Sequence, residues 1–235
     1  MALGMFSAIP CPYRPWDESA RGMMMVCLPI VGALIGLLWA ALSLLGRTLL
    51  PMPLAAGLIV ALPYLLTGFM HLDGYMDTSD AILSWRPLER RLEILKDSHT
   101  GSFAVVSLAL LLLFGYGAAQ SLGQADLRAL VLIPVVSRCG SALCVITIKP
   151  LGHSEYAQVS GNGAQRLAIG CCYALSLLIG GLWLGRGVVV LIVESLVYAA
   201  SMAWAVHVLK GVSGDLAGFA LSLAEAGGLV ALCLL

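Results

Sequence analysis

The sequence predicts an all-α integral membrane protein, a bundle of about seven transmembrane helices with one interfacial helix near 86–98. The composition is 60% hydrophobic and only 11% charged, whereas a soluble domain carries about 25% charged residues. Apolar runs of about 20 residues, the length that crosses a bilayer as a helix, recur along the whole chain. They leave no room for a separate soluble domain, so residues 1–235 form a single membrane domain.

The charge balance and the cysteines exclude other classes. Thirteen basic residues match thirteen acidic ones, so no net charge favours nucleic acid as a partner. The seven cysteines have no CxxC or Cys/His metal spacing, which indicates packing residues and not a disulfide framework. The polar, Pro-rich residues 1–22 read as a short lead-in and not as a signal peptide.

The spans are predicted in order at about 23–46, 54–70, 102–122, 129–148, 167–184, 188–206 and 216–235. In the first span, Gly32 and Gly36 form a small-xxx-small pair that lets another helix approach closely. Glycine-rich spans also permit homo-oligomers. The one substantial polar segment between spans is 71–101.

The loop charges predict the orientation of the spans. Basic residues on one side are Arg14, Arg21, Arg86, Arg90, Arg91, Lys96, Lys149, Arg166 and Lys210, against Arg47, Arg128 and Arg186 on the other. The positive-inside rule places the first group in the cytoplasm, with the N-terminus inside and the C-terminus outside.

Three carboxylates in 71–80 predict a metal–phosphate site. In a helix, Asp73, Asp77 and Asp80 at i, i+4 and i+7 share one face. Like charges that close need a cation, and Mg²⁺ is held by carboxylates together with substrate phosphates. Mn²⁺ would accept the same ligands. The alternative is a solvated acidic helix start, which the helix dipole favours.

The basic residues that follow suit a diphosphate. Arg90 and Arg91 offer bidentate forks and Lys96 a point charge, on a helix that Pro87 begins and whose leucines face the membrane surface. The alternative is ordinary pairing of these bases with the neighbouring glutamates.

Four further residues are candidates for the site. His71 either accepts a proton from an attacking hydroxyl or, as a cation, caps the preceding span. Arg138 lies within the fourth span, where a guanidinium must pair with an acid or a phosphate. Asp215 opens the last span as an added metal ligand or an N-cap, and Glu225 shares its helical stripe.

These features favour a Mg²⁺-dependent enzyme that moves a phosphate-linked group at the cytoplasmic face. The alternative from another class is a secondary transporter with intramembrane acids. Transporters of that kind have paired inverted halves, which the sequence lacks, and their acids lie near mid-span.

The motifs resemble those of the cobalamin synthase family. The resemblance rests on His71-Leu-Asp-Gly74 with Asp77 and Asp80, on Arg91-Leu-Glu-Ile-Leu-Lys-Asp-Ser98, and on Gly214-Asp215-x-x-Gly218 with Glu225. It continues through Ile9-Pro10-Cys11-Pro12, the glycines of the first span and Ser137-Arg138, so it covers essentially the whole chain. Ala81, His99 and Ser213 depart from the family's usual Gly, Arg and Thr.

The resemblance implies the last assembly step of cobalamin synthesis at the bacterial inner membrane. α-Ribazole or its 5′-phosphate would attack the cobinamide-side phosphorus of adenosylcobinamide-GDP and release GMP. Asp73, Asp77, Asp80 and Asp215 would hold Mg²⁺, while Arg90, Arg91, Lys96 and Arg138 would bind the diphosphate. His71 or one of the acids would be the base. CDP-alcohol phosphotransferases share the mechanism but not the motif spacing. Loop 149–166, with His153 and Tyr156, is the segment expected to touch the corrin.

Overall fold

The computed structural model describes residues 1–11, 17, 20–123, 125–152 and 161–235. Helices in these ranges are Ala2–Phe6 (α1), Arg21–Leu49 (α2), Met52–Leu66 (α3), Met70–Leu83 (α4), Leu88–Ile94 (α5), Ser102–Gln120 (α6), Ala129–Thr147 (α7), Gly163–Leu184 (α8), Val188–Leu209 (α9) and Gly214–Cys233 (α10). The described residues form no strand, and one isolated bridge joins Pro150 to Val212. The predicted all-α polytopic bundle is confirmed.

Helices α2 and α7 form the most extensive pair of the bundle. A Cβ added at Gly32 would collide with the Pro134 carbonyl oxygen, and one at Gly36 with the Val131 carbonyl oxygen. The close approach predicted from the Gly32/Gly36 pair is therefore real, with α7 as the partner helix.

Five segments of the described residues are long and apolar enough to cross a membrane, or six if the bent α3–α4 pair is one span. The chain is thus a multi-pass membrane protein. Residues 163–209 count as one of these five segments. However, the Tyr173 hydroxyl of α8 lies 2.7 Å from the Ser195 hydroxyl of α9. In one continuous helix, residues this far apart would be separated by about 33 Å. Helices α8 and α9 therefore fold back on each other at Gly185, where φ is 56°. The total of seven crossings stays a prediction.

The second predicted span, about 54–70, is wrong at its end. Helix α3 stops at Leu66, and α4 starts at Met70 after a bend of 92°. Gly68 and Phe69 both have positive φ, which breaks the helical hydrogen-bond ladder there. Helix α4 alone is too short to be a candidate span, so we place it outside the membrane-spanning segments.

Two short helices differ from the sequence prediction. The interfacial helix expected near 86–98 is confined to Leu88–Ile94, with Pro87 as its N-cap. The lead-in 1–22, in which no helix was predicted, contains α1, which packs on α2. Phe6 at its end is buried, so burial of an apolar face forms a helix that local composition did not predict.

Among the residues that the structure describes, one ion pair is fully buried. Arg138 of α7 and Glu225 of α10 approach to 2.6 Å between Nη1 and Oε1, with side chains 0% and 5% exposed. The Ser137 hydroxyl also donates to that Glu225 oxygen, at 3.1 Å. The pair joins two helices at a depth where an unpaired charge is costly.

Candidate functional site

The acidic segment is a helix, as the predicted metal site requires. Within α4, Asp73 is exposed and Asp77 and Asp80 are half-buried, whereas His71 and Thr78 on the other face are buried. Tyr75 anchors the helix from the buried face, because its hydroxyl donates to the Ser107 carbonyl at 3.0 Å. The three carboxylates therefore share the more open face of α4.

The last helix brings the fourth carboxylate to this group. A Cβ added at Gly74 would lie 2.7 Å from Asp215 Cα, and one at Gly218 would lie 3.0 Å from the His71 carbonyl oxygen. The Ser222 hydroxyl donates to that same carbonyl at 3.2 Å. Helices α4 and α10 thus touch almost backbone to backbone, which sets Asp215 beside the acids of α4.

The other three acids lie close enough to Asp77 to affect its ionisation. The pKa of Asp77 is raised to about 6, first by burial and then by the charges of Asp73, Asp215 and Asp80, in that order of size. A carboxyl with three like charges around it gains from a cation among them. All four predicted metal ligands are therefore brought together.

The donor set suits a hard divalent ion, since it consists of carboxylate oxygens. No group of three or more His, Cys, Asp or Glu side chains within the described ranges is already arranged to hold a metal. The acids therefore converge without adopting coordination geometry, and the Mg²⁺ site stays a prediction.

Asp80 has a structural partner of its own. Its Oδ1 accepts a hydrogen bond from the Ala104 N–H at 3.4 Å, and its carboxylate lies against Gly101, the residue before α6. A carboxylate at a helix N-terminus stabilises the free N–H groups there. Asp80 therefore caps α6 from a neighbouring helix, a role the sequence did not reveal.

A cavity of about 540 Å³ lies beside the acidic cluster. Its polar lining consists of His71, Glu89, Glu93, Lys96, Ser141, Ser213 and Asp215. Its apolar lining includes Met5, Phe6, Met25, Leu28, Met70, Leu92, Leu95, Val145, Leu151 and Ala217. Asp215 belongs to the lining and also acts on Asp77, so the cavity and the acidic cluster adjoin.

His71 faces this cavity with a free ring nitrogen. The side chain is 8% exposed, and its Nε2 has no hydrogen-bond partner among the described residues. Burial, helped by the charge of Arg138, lowers the pKa of His71 to about 3. The imidazole is therefore neutral at pH 7, which argues against the alternative that His71 caps the preceding span as a cation. Its role as a proton acceptor stays a prediction.

Only one of the predicted phosphate-binding residues lies in the cavity lining. Lys96 lines the cavity, but Arg90 pairs with Glu93 and the Arg91 Nε donates to the Arg86 carbonyl. Both arginines are outside the cavity lining. Both lie within α5, where Arg90 is exposed and Arg91 is half-buried. Its contact with Glu93 makes the pairing alternative hold for Arg90.

Arg138 differs from its predicted role as a diphosphate binder. Its side chain is fully buried, it is paired with Glu225, and it does not line the cavity. The sequence predicted that this guanidinium needs an acid or a phosphate, and the acid of α10 is the partner present.

Several lining residues were missed from the sequence. Met5 and Phe6 lie in the lead-in, and Ser141 lies one turn beyond Arg138. The i, i+3 spacing of Arg138 and Ser141 would have placed Ser141 on the same helical face. The residues expected to touch the corrin, His153 and Tyr156, lie outside the described residues.

Comparison with known proteins adds a family. A family model described as CobS, cobalamin-5-phosphate synthase, matches residues 1–233. The chain is 36% identical over 241 residues to an adenosylcobinamide-GDP ribazoletransferase of Clostridium botulinum (strain Eklund 17B / Type B), covering 100% of this chain and 96% of that protein. A protein of the same name from Clostridium perfringens (strain SM101 / Type A) is 37% identical over 240 residues, covering 99% and 95%. One from Pseudomonas putida (strain GB-1) is 37% identical over 250 residues, covering 100% and 97%. No solved structure matches the chain.

Proposed function

Because the chain belongs to the cobalamin-5-phosphate synthase family, we propose that it transfers adenosylcobinamide phosphate from adenosylcobinamide-GDP to α-ribazole or its 5′-phosphate. The products are GMP and adenosylcobalamin or its 5′-phosphate. The observation that carries the proposal is the convergence of Asp73, Asp80 and Asp215 on Asp77 beside a cavity with a neutral, unpartnered histidine. Such a site offers places for a metal-bound diphosphate and for a hydroxyl acceptor.

The transfer forms one P–O bond and breaks another. A ribose hydroxyl oxygen that is free in both acceptors, and so is not the 5′-oxygen, bonds to the cobinamide-side phosphorus. The bond from that phosphorus to the GMP oxygen breaks, so GMP leaves with the electron pair. The hydroxyl proton passes to His71 Nε2. Positioning and charge neutralisation account for most of the rate of such a reaction.

The four aspartates would hold Mg²⁺, which when bound supplies positive charge to the diphosphate and the leaving phosphate. Lys96 lies in the cavity lining, where it offers a point charge to a phosphate group of a bound substrate. Arg90 on the exposed surface and the half-buried Arg91 lie nearby on α5, where they attract the anionic donor from solution.

We place the site at the cytoplasmic face of the bacterial inner membrane, with the N-terminus inside and the C-terminus outside. The excess of basic residues on the site's side of the chain supports this orientation. At the opposite end of the bundle, Arg47 contacts the Gly123 carbonyl and Arg128 lies over the Trp183 ring. The grouping of these basic residues agrees with two distinct faces.

The test is an assay of purified protein in detergent or liposomes with adenosylcobinamide-GDP, α-ribazole and Mg²⁺. GMP release matched by cobalamin formation, and lost with EDTA, is the expected result. Asp73→Asn and Asp77→Asn should each abolish transfer while the protein stays folded. A folded wild type that forms no product would contradict the proposal and lead to assays with CDP-alcohols and then of transport.

A further inference from the structure

The cavity has two walls of opposite character. The apolar residues Met5 and Phe6 come from α1 and Met25 and Leu28 from the start of α2, two helices that pack together. The polar residues His71 and Asp215 come from α4 and α10, which also pack together, and Lys96 comes from the segment after α5. A ligand for this cavity needs one apolar part and one polar part.

We propose that this cavity is the acceptor subsite, and that α1 forms the wall that recognises the base of a ribonucleoside or its 5′-phosphate. This inference rests on the proposed function. The base must be uncharged, flat and apolar to lie against Phe6 and Met25, which are 4% and 1% exposed. Aromatic and thioether side chains suit such a ring, because sulfur and π contacts add to apolar burial.

Size excludes the other substrate from this cavity. A volume of about 540 Å³ suits a ligand of nucleoside size, whereas the corrinoid nucleotide is several times larger. The donor therefore binds outside the cavity, on the open face of α4, where the carboxylates can share a divalent cation with its diphosphate.

The position of Asp215 connects the two subsites. It lines the cavity and its charge acts on Asp77, so a ribose held at the polar wall directs a free ring hydroxyl toward the acidic cluster. His71 Nε2 is buried, unpartnered in the described structure and part of the same wall. The free nitrogen is thus placed where the hydroxyl proton must leave.

The experiment compares Phe6→Ala and Phe6→Leu with Met23→Ala, a matched control on α2 whose side chain is 56% exposed and does not line the cavity. Steady-state kinetics use α-ribazole and its 5′-phosphate as alternative acceptors. We expect Phe6→Ala to raise KM for both acceptors about tenfold, because they share the base. Phe6→Leu should recover part of this loss, and KM for adenosylcobinamide-GDP should not change.

A rise confined to the KM of adenosylcobinamide-GDP, a rise for one acceptor alone, or no change for either acceptor would overturn the inference. Calorimetric titration of the full chain with α-ribazole, without donor or metal, tests the cavity separately from turnover. Binding that Phe6→Ala weakens supports the acceptor subsite even if no GMP is released. GMP release without such weakening overturns the subsite and leaves the proposed function standing.

Discussion

Gly74 and Asp215 bring α4 and α10 into backbone contact, since a Cβ on Gly74 would lie only 2.7 Å from Asp215 Cα. The contact atom belongs to the backbone, so no side chain can turn aside to make room. The absence of a side chain at position 74 is therefore what allows the carboxylate of α10 to join those of α4.

We expect Gly74→Ala to separate the two helices and to lower kcat at least tenfold, with a loss of stability of about 1–3 kcal/mol from overpacking. Activity and thermal unfolding in detergent measure the two effects. The matched control is Gly57→Ala in α3, where an added Cβ would meet nothing within 4 Å. Wild-type activity in the Gly74 variant would show that the approach of Asp215 is dispensable.

The raised pKa of Asp77 predicts how pH and metal affect stability. Its folded-state pKa of about 6 exceeds the ordinary value of 3.8, so the folded protein retains a proton that the unfolded chain loses between these values. Without metal, ionised Asp77 therefore lowers the free energy of unfolding at pH 7. The protein regains this stability as the pH falls through 6 and Asp77 becomes protonated.

Mg²⁺ should consequently raise the unfolding temperature more at pH 7.5 than at pH 5, because protons and the cation compete for the same carboxylates. Thermal unfolding with and without Mg²⁺ at both pH values measures the effect. Asp77→Asn should remove it, whereas Asp126→Asn, near Arg128 at the other end of the bundle, should retain it. Equal Mg²⁺ shifts at both pH values would contradict a cation site at Asp77.

Asp80 should respond differently from the other acids, because it also caps α6. We expect Asp80→Ala to lose about 1 kcal/mol of stability, the usual cost of removing a capping oxygen. Asp80→Asn keeps an acceptor for the Ala104 N–H and should unfold near the wild-type temperature. A loss of transfer activity in that stable variant can then be assigned to a lost metal ligand and not to unfolding. Full activity would remove Asp80 from the ligand set.

The sequence was informative where local spacing determines the geometry. The positions of Asp73, Asp77 and Asp80 predict a shared helical face, and Gly32 with Gly36 predicts a close helix contact; both are present. Span boundaries follow from apolar length, which explains why α6 and α7 agree with prediction within two residues.

Features that depend on tertiary packing could not be predicted this way. Gly68 is visible as a breaker, but nothing local indicates that Phe69 also adopts positive φ and turns the chain by 92°. Helix α1 is too short for propensity to predict it. Helix α1 forms because packing against α2 buries Phe6. The sequence analysis therefore missed the part of the apolar cavity wall that α1 provides.

Which group pairs with Arg138 also depends on tertiary packing. Pairing with Glu225 alone makes Arg138 a structural residue, whereas contact with a substrate phosphate would make it part of the diphosphate site. Removing only Glu225 with Glu225→Ala takes away the carboxylate that contacts the buried guanidinium at 2.6 Å, which we expect to cost about 3–5 kcal/mol. Replacing both residues, as in Arg138→Leu with Glu225→Leu, removes both charges and should recover most of that stability. Thermal unfolding of the single and double variants measures the coupling.

If Arg138 only joins α7 to α10, the folded double variant retains transfer with an unchanged KM for adenosylcobinamide-GDP, which is the result we expect. A stable double variant with a strongly raised KM for that donor would restore Arg138 to the diphosphate site.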